Sequence, residues 1–227
     1  MVRVKTNARY EAFLAAAAEV FQEMSFDQAT MDEIAARVGS SKATLYRYFD
    51  SKEALFMALI QRTANGQGGR MVPMLHAASG GVPPDQNTTN DVVDLMGTLN
   101  PTEDVAIALT RFGHHVLKAF HTPKTLAVQR MVIAASVNPE IGRMFYEQGP
   151  ARAIKFAEQY FAAVIQKGQI RPSDPHVVAC HYFGLLESEV HQAGIFNVVT
   201  EIDDKEISEI VTRTIEVFMR AYGSSKD

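Results

Sequence analysis

The sequence predicts an all-α protein: an N-terminal three-helix domain carrying a helix-turn-helix, followed by a larger helical domain. Three observations predict this class. Apolar residues recur three and four apart almost throughout the 227 residues, and period-two alternation is nowhere sustained. From Ala29 to Ser51 the run A-T-M-D-E-I-A-A-R-V-G-S-S-K-A-T-L-Y-R-Y-F-D-S reads as two short helices meeting at a glycine turn. A hydrophobic content of 47% is enough for a real core, which excludes a disordered tail.

The first helix is expected over about Asn7 to Met24, where Phe13, Leu14, Ala17, Val20, Phe21 and Met24 form one apolar stripe. The second starts at Thr30, whose hydroxyl can cap the amide three residues on while Glu33 reaches back, the reciprocal pairing of a capping box. Met31, Ile34, Ala35 and Val38 then share a face, and Gly39 stands where the chain needs a left-handed stop. Ser41 caps a third helix in which Leu45 and Phe49, four apart, point inward together. A fourth helix begins near Lys52, behind a cap at Asp50 or Ser51, and runs past Arg62.

Ser79 to Asn90 is rich in breakers and reads as a loop. The nearby N-G-Q-G-G-R follows a helix and lacks the Gly-Lys-Ser ending of a phosphate loop, so it reads as a connection. After Pro101, helical patterns cover about Glu103 to His121, Lys124 to Val137, Pro139 to Gln148, Pro150 to Lys167, Pro175 to Asn197 and Asp203 to Tyr222. Several open on proline, which suits the first turn because its missing N–H would be unpaired there anyway. The domains are set at 1–62 and 63–227.

Inward placement of Leu45 and Phe49 leaves Lys42, Ala43, Tyr46 and Arg47 facing out, a set suited to a DNA groove. Arg47 and Tyr46 are expected at base edges or adjacent phosphates, and Ala43 permits close approach. Thr30, Ser41, Lys42, Thr44, Tyr48 and Lys52 are expected to hold the helix on the backbone; Lys52 lies in the first turn of its helix, where amides and dipole favour phosphate. Net charge is -4, so DNA contact must come from local placement of cations. Residues 1–62 balance eight basic against eight acidic residues, leaving the negative excess to the rest of the chain. Arg3 and Lys5 are expected as an arm near the minor groove. The competing reading makes the helix pair purely structural, with Lys42 and Arg47 on a solvated face.

With A-A-E-V-F-Q-E-M-S-F, T-M-D-E-I-A-A-R-V-G and S-S-K-A-T-L-Y-R-Y-F-D-S-K-E-A-L-F, the run from Ala12 to Ile60 resembles the N-terminal domain of TetR-family bacterial repressors. It departs from the family pattern at Ser25 (a turn glycine), Ser40 (valine) and Ala43 (glycine). The second half resembles the AefR-like branch through Q-R-M-V-I-A-A-S-V-N-P-E-I-G-R-M-F-Y-E-Q-G-P and K-G-Q-I-R-P-S-D-P. The resemblance implies a homodimer formed through the last two helices, a double-stranded and palindromic DNA operator, and a pocket for a small-molecule effector.

Apolar and aromatic spacing then proposes residues for these roles. Phe112, Phe120, Phe156, Tyr160 and Phe183, with Tyr146, are taken to line a site for a hydrophobic or aromatic effector, and His115 and Arg130 to orient its polar end. His176, Cys180, Gly184, Glu187 and His191 recur three or four apart, as do Val211, Thr214 and Phe218, and both stripes are assigned to the dimer interface. Intradomain core is the alternative for each.

Other classes find little support. No G-x-S-x-G, H-E-x-x-H or G-x-G-x-x-G occurs, so no enzyme and no cofactor are expected. His114, His115 and His121, or His176, Cys180 and His181, lack paired metal-ligand spacing. Cys180 is the single cysteine, compatible with a reducing interior. Neither a signal peptide nor a membrane span is read, so the expected location is cytoplasmic. The expected function is a DNA-binding regulator, a repressor released by its effector. The alternatives are a ligand-independent or protein-controlled regulator, and a helical ligand-binding protein.

Overall fold

The computed structural model describes residues 7–24, 26–65, 98–199 and 201–224. Four helices come first: α1 (Asn7–Glu23), α2 (Met31–Arg37), α3 (Lys42–Tyr46) and α4 (Lys52–Asn65). Seven follow: α5 (Val105–Phe120), α6 (Pro123–Ala135), α7 (Pro139–Gln148), α8 (Pro150–Gln166), α9 (Pro175–Glu187), α10 (His191–Ile195) and α11 (Asp204–Tyr222). Among the described residues the only β-type pairing is an isolated antiparallel bridge, Ile170 with Gly223. The expected loop at Ser79–Asn90, and Arg3 and Lys5, lie outside the described residues. The proposed boundary at 62 falls within α4.

α1, α2, α3 and the start of α4 enclose one core, in which Phe13, Leu14, Ala17, Val20, Ile34, Leu45 and Leu55 are fully buried. Tyr10 stacks on Phe49 with ring centroids 5.0 Å apart, and Tyr48 lies 5.4 Å from Phe13. A second cluster joins the two halves of the chain. Phe26, Phe56, Met57 and Ile60 meet Val128, Val132, Ala135 and Ile141, so α4 is packed onto α6 and α7 through apolar surface. Phe21, Phe26 and Phe56 form an aromatic triangle at its edge, with centroids 5.0 to 5.6 Å apart.

The larger core belongs to α5, α8, α9 and α11. Its centre is Tyr182, fully buried, which contacts Phe112, Phe161, Phe183 and Phe218 and donates its hydroxyl to the Leu109 carbonyl at 2.7 Å. Gly113 sits on this centre; a Cβ there would lie 2.9 Å from the Tyr182 oxygen and 3.2 Å from Leu186 Cδ1. Gly168, at φ 69°, ends α8, and the chain reverses into the Ile170 bridge, where Arg171 N–H donates to the Tyr222 carbonyl at 2.8 Å. Asp174 then caps α9 through the amides of His176 and Val177.

One expected helix is divided. The pattern over Pro175 to Asn197 reads as continuous, yet α9 stops at Glu187 and α10 starts at His191. Ser188 turns its hydroxyl back onto the Leu185 carbonyl at 2.7 Å, competing with the backbone ladder. Glu189 meanwhile accepts two hydrogen bonds from the Arg213 guanidinium of α11, at 2.9 and 2.8 Å. The break lets α10 lie on α6, where Gly194 faces Leu126 and its carbonyl accepts from Arg130 at 2.7 Å.

Candidate nucleic-acid interface

The reading head is assembled by local capping. Thr30 is extended at φ -120° and ψ 152°; its hydroxyl accepts from Glu33 N–H at 3.2 Å, while Glu33 Oε2 accepts from Thr30 N–H at 2.9 Å. α2 ends in a reversed turn at Gly39, φ 65°, where Gly39 N–H donates to Ala36 and Ser40 N–H to Ala35. No side chain crowds Gly39, so its requirement is conformational. Ser41 caps α3 by accepting from Thr44 N–H at 3.2 Å. Ser40 Oγ is buried without a hydrogen-bond partner, a cost that valine would not incur.

With Leu45 fully buried and Phe49 nearly so, α3 has one orientation available, and Lys42, Ala43, Tyr46 and Arg47 are exposed. Thr30 and Ser41 are also exposed but engaged as caps; Thr44 is half-buried with its hydroxyl 2.9 Å from that of Ser41. Tyr48 is half-buried, with its ring against the core. Lys42 Nζ donates to Asp32 Oδ2 at 2.7 Å, and that hydrogen bond, with the carboxylate's charge, raises the lysine pKa. Both side chains are exposed, so the pair is free to open toward a phosphate.

Lys52 is also engaged within the domain. Its ammonium donates to the carbonyls of Phe26 at 2.7 Å and Ala29 at 2.9 Å, with Asp27 O at 3.4 Å, and lies 4.3 Å from the Phe26 ring centroid. A cation aimed at three backbone oxygens of its own domain ties α4 to the α1–α2 turn. A second tie had no sequence signal, since its partners lie 14 residues apart. The guanidinium of Arg37 donates to both carboxylate oxygens of Glu23 at 2.7 and 2.6 Å, with Glu19 at 3.6 Å. Arg37 holds the Glu23 carboxyl below its usual range, first through the hydrogen bond and also through its charge.

In the second domain the structure gathers some of the proposed effector residues and scatters others. Phe112, Phe156, Tyr160, Phe120 and Phe183 share one core cluster, with Phe112 only 1% exposed. Tyr160 has no partner for its buried hydroxyl, and burial drives its ionisation far above the ordinary range. Tyr146 is instead exposed on α7, away from this cluster, because α7 turns Phe145 and Met144 toward the α4 junction. His115 is exposed with Nδ1 2.8 Å from the Arg111 carbonyl. Arg130 donates to the Gly194 carbonyl and so ties α6 to α10.

The two proposed dimer stripes also separate. His176, Gly184 and His191 are exposed, with Cys180 and Glu187 half-buried, so that stripe faces outward. His176 Nδ1 is 3.3 Å from Glu158 and its Nε2 is 3.7 Å from Cys180 Sγ. Val211, Thr214 and Phe218 are 0%, 4% and 0% exposed and belong to the protomer's own core, which corrects their assignment. The amphipathic pattern of α11 is genuine, but its apolar face is spent on α5 and α9. The outward face of α11 carries Arg213, Glu216, Val217 and Arg220 instead. Among the described residues no group of three or more His, Cys, Asp or Glu could hold a metal ion, and no helix is long and apolar enough to cross a membrane.

Comparison with known proteins agrees with this architecture. Residues 13–59 match the model of bacterial regulatory proteins of the tetR family, and residues 107–224 match the C-terminal domain of AefR-like transcriptional repressors. The transcriptional activator FasR of Mycolicibacterium smegmatis is 45% identical over 60 residues, which are 26% of this chain and 27% of that protein. The matched part thus spans about a quarter of that relative. The solved structure of the flavonoid-responsive regulator FrrA superposes with a TM-score of 0.69 at 25% identity, covering 97% of this chain and all of that one. A TetR-type regulator of Mesorhizobium loti shares the fold with a TM-score of 0.65 at 23% identity, over 96% of this chain and 100% of its own. With its C-terminal half and its reading head both matched, the chain belongs to the TetR family of helix-turn-helix transcriptional regulators, which are not enzymes.

Proposed function

We propose that the protein is a homodimeric, cytoplasmic repressor that holds a palindromic operator and lets it go when a hydrophobic or aromatic small molecule enters the second domain. The observation that carries this reading is the exposed set Lys42, Ala43, Tyr46 and Arg47 on a helix locked by Leu45 and Phe49. Arg47 and Tyr46 reach base edges or adjacent phosphates, while Thr30, Ser41, Lys42, Thr44 and Tyr48 place the helix on the backbone. Two such heads, set about one DNA turn apart, engage two half-sites.

Dimerisation uses the outward stripe of α9, His176, Cys180, Gly184, Glu187 and His191, alongside the exposed face of α11. Exposed Val177 and Val217 support it, as does the open space over Gly184, where a neighbouring backbone can approach closely. The effector reading is supported by the aromatic cluster around Phe112 and by the flavonoid response for which FrrA is named. The link to DNA is the apolar junction between α4 and α6. A ligand that prefers one position of α6 thereby prefers one position of the reading head, the differential affinity an allosteric ligand needs.

Fluorescence anisotropy of the protein on its own promoter fragment tests this, at fixed salt, with competitor DNA and a panel of flavonoids. Retention of the fragment against competitor, and its loss with at least one compound, are the expected results. Equal binding to promoter and competitor rules out the specific regulator, and a reporter that falls without the protein shows an activator, as FasR is named.

A further inference from the structure

His121 is the most anomalous polar group among the described residues. It is 5% exposed, yet neither Nδ1 nor Nε2 has a hydrogen-bond partner. Burial, and secondarily the charge of His191, push its pKa down to about 4. The ring is therefore neutral near pH 7, with one N–H donor and one bare acceptor nitrogen, both unmet. Buried polar groups in native proteins are nearly always paired, so an orphan of this kind asks for an explanation in water or ligand.

Its place in the fold narrows the choice. His121 closes α5 as its C-terminal cap, and the next residue, Thr122, caps α6. The preceding Phe120 packs on the aromatic core with Phe112, Phe156 and Phe183. His191 of α10 connects this corner electrostatically to Glu187, which lies 3.6 Å from it and whose pKa burial raises. None of the residues named here is a lysine or arginine that would fix a ligand carboxylate, and the His121 ring, kept neutral by burial, offers neither a cation nor an anion. A neutral hydroxyl suits the ring, since it accepts from the N–H or donates to the bare nitrogen.

We propose that His121 is the polar recognition residue of the effector site, hydrogen-bonding the hydroxyl of a neutral hydroxylated aromatic ligand whose ring lies toward Phe120. This rests on the effector reading above and gives it a residue and a ligand chemistry. It also gives the signal a short route. α6 starts directly after His121, and its Val128 and Val132 press on Phe56, Met57 and Ile60 of α4. Pairing His121 loads one end of the helix whose other residues seat the reading head.

Calorimetry with the full chain decides this, using naringenin against flavanone, its parent without hydroxyls. The wild type is expected to prefer naringenin by about tenfold, the worth of one net hydrogen bond. His121→Phe abolishes the preference while retaining flavanone, and His121→Gln, which keeps a donor and an acceptor, restores part of it. Should His121→Phe fail to fold, nitrogen-detected NMR of the wild type reads the same contact: the His121 ring signals move with naringenin and stay with flavanone. An equal preference in the folded His121→Phe variant, no preference in the wild type, or no binding of either compound overturns the proposal and leaves a buried water as the ring's partner. Operator anisotropy separates the two readings. Release that persists in His121→Phe refutes the site alone, whereas naringenin bound through His121 without release refutes the switch alone.

Discussion

Lys52→Met separates a structural lysine from a DNA-contacting one. In the folded chain the ammonium donates to the Phe26 and Ala29 carbonyls at 2.7 and 2.9 Å and lies 4.3 Å from the Phe26 ring. Hydrogen bonds from a charged donor are worth about 1.5 to 3 kcal/mol each, and a cation over a ring adds about 0.5 to 1 kcal/mol. Two effects oppose the loss. Methionine keeps the apolar stem against Phe26, and removing a cation from the first turn of α4 relieves about 0.3 to 1 kcal/mol of repulsion with the helix dipole. Because the two hydrogen bonds share one donor group and are not additive, a net destabilisation of about 2 kcal/mol is expected. Urea unfolding followed by circular dichroism reads it as a lower midpoint with an unchanged slope. Operator affinity measured across a salt series supplies the other half. A phosphate-contacting lysine contributes about 0.9 to the slope of log affinity against log salt, so a dimer loses roughly twice that on its replacement. The slope is expected to stay the same. An unaltered urea midpoint together with a flattened salt slope would refute the assignment and return Lys52 to the DNA interface.

Arg47→Ala is expected to weaken specific binding by about 1 to 3 kcal/mol per half-site and to narrow the gap to mutated operators, measured by anisotropy at one salt concentration; unchanged discrimination rules out a base contact. Gly184→Arg places a long cation on the outward face of α9, where a Cβ meets nothing within the protomer; folding is expected to survive while sedimentation shows monomers and operator binding is lost. Gly113→Ala forces a Cβ to 2.9 Å from the Tyr182 hydroxyl and 3.3 Å from Val211 Cγ2, and is expected to cost about 1 to 3 kcal/mol in denaturant unfolding. His121 sets a pH dependence. Its folded pKa of about 4 lies below the ordinary 6.5, so the unfolded chain takes up a proton first as pH falls. Stability is complete above about pH 6.5 and declines toward pH 4, by at most about 3 kcal/mol, and His121→Phe is expected to remove that part of the decline in urea midpoints taken across the range.

Much of what closes within a turn of chain is legible in the sequence, although the local break at Ser188 is not. The capping box at Thr30 and Glu33, the cap at Ser41, the first-turn prolines of α7 to α9 and the left-handed Gly39 all join residues no more than four apart. Their geometry is implied by residue type; they start α3, and the burial of Leu45 and Phe49, four apart, turns Lys42, Tyr46 and Arg47 outward. Tertiary structure decided what each exposed charge and each apolar stripe meets. Lys52 finds carbonyls 23 and 26 residues away, and Arg37 finds Glu23 at a distance of 14; residue type fixes a donor's strength but not the direction of its acceptor. Val211, Thr214 and Phe218 have the same spacing as a dimer stripe, yet lie in the core around Tyr182, while the stripe of His176, Gly184 and His191 faces out. A hydrophobic period of 3.6 residues says that a face will be buried. Which surface buries it depends on how the whole chain packs, and no local pattern contains that.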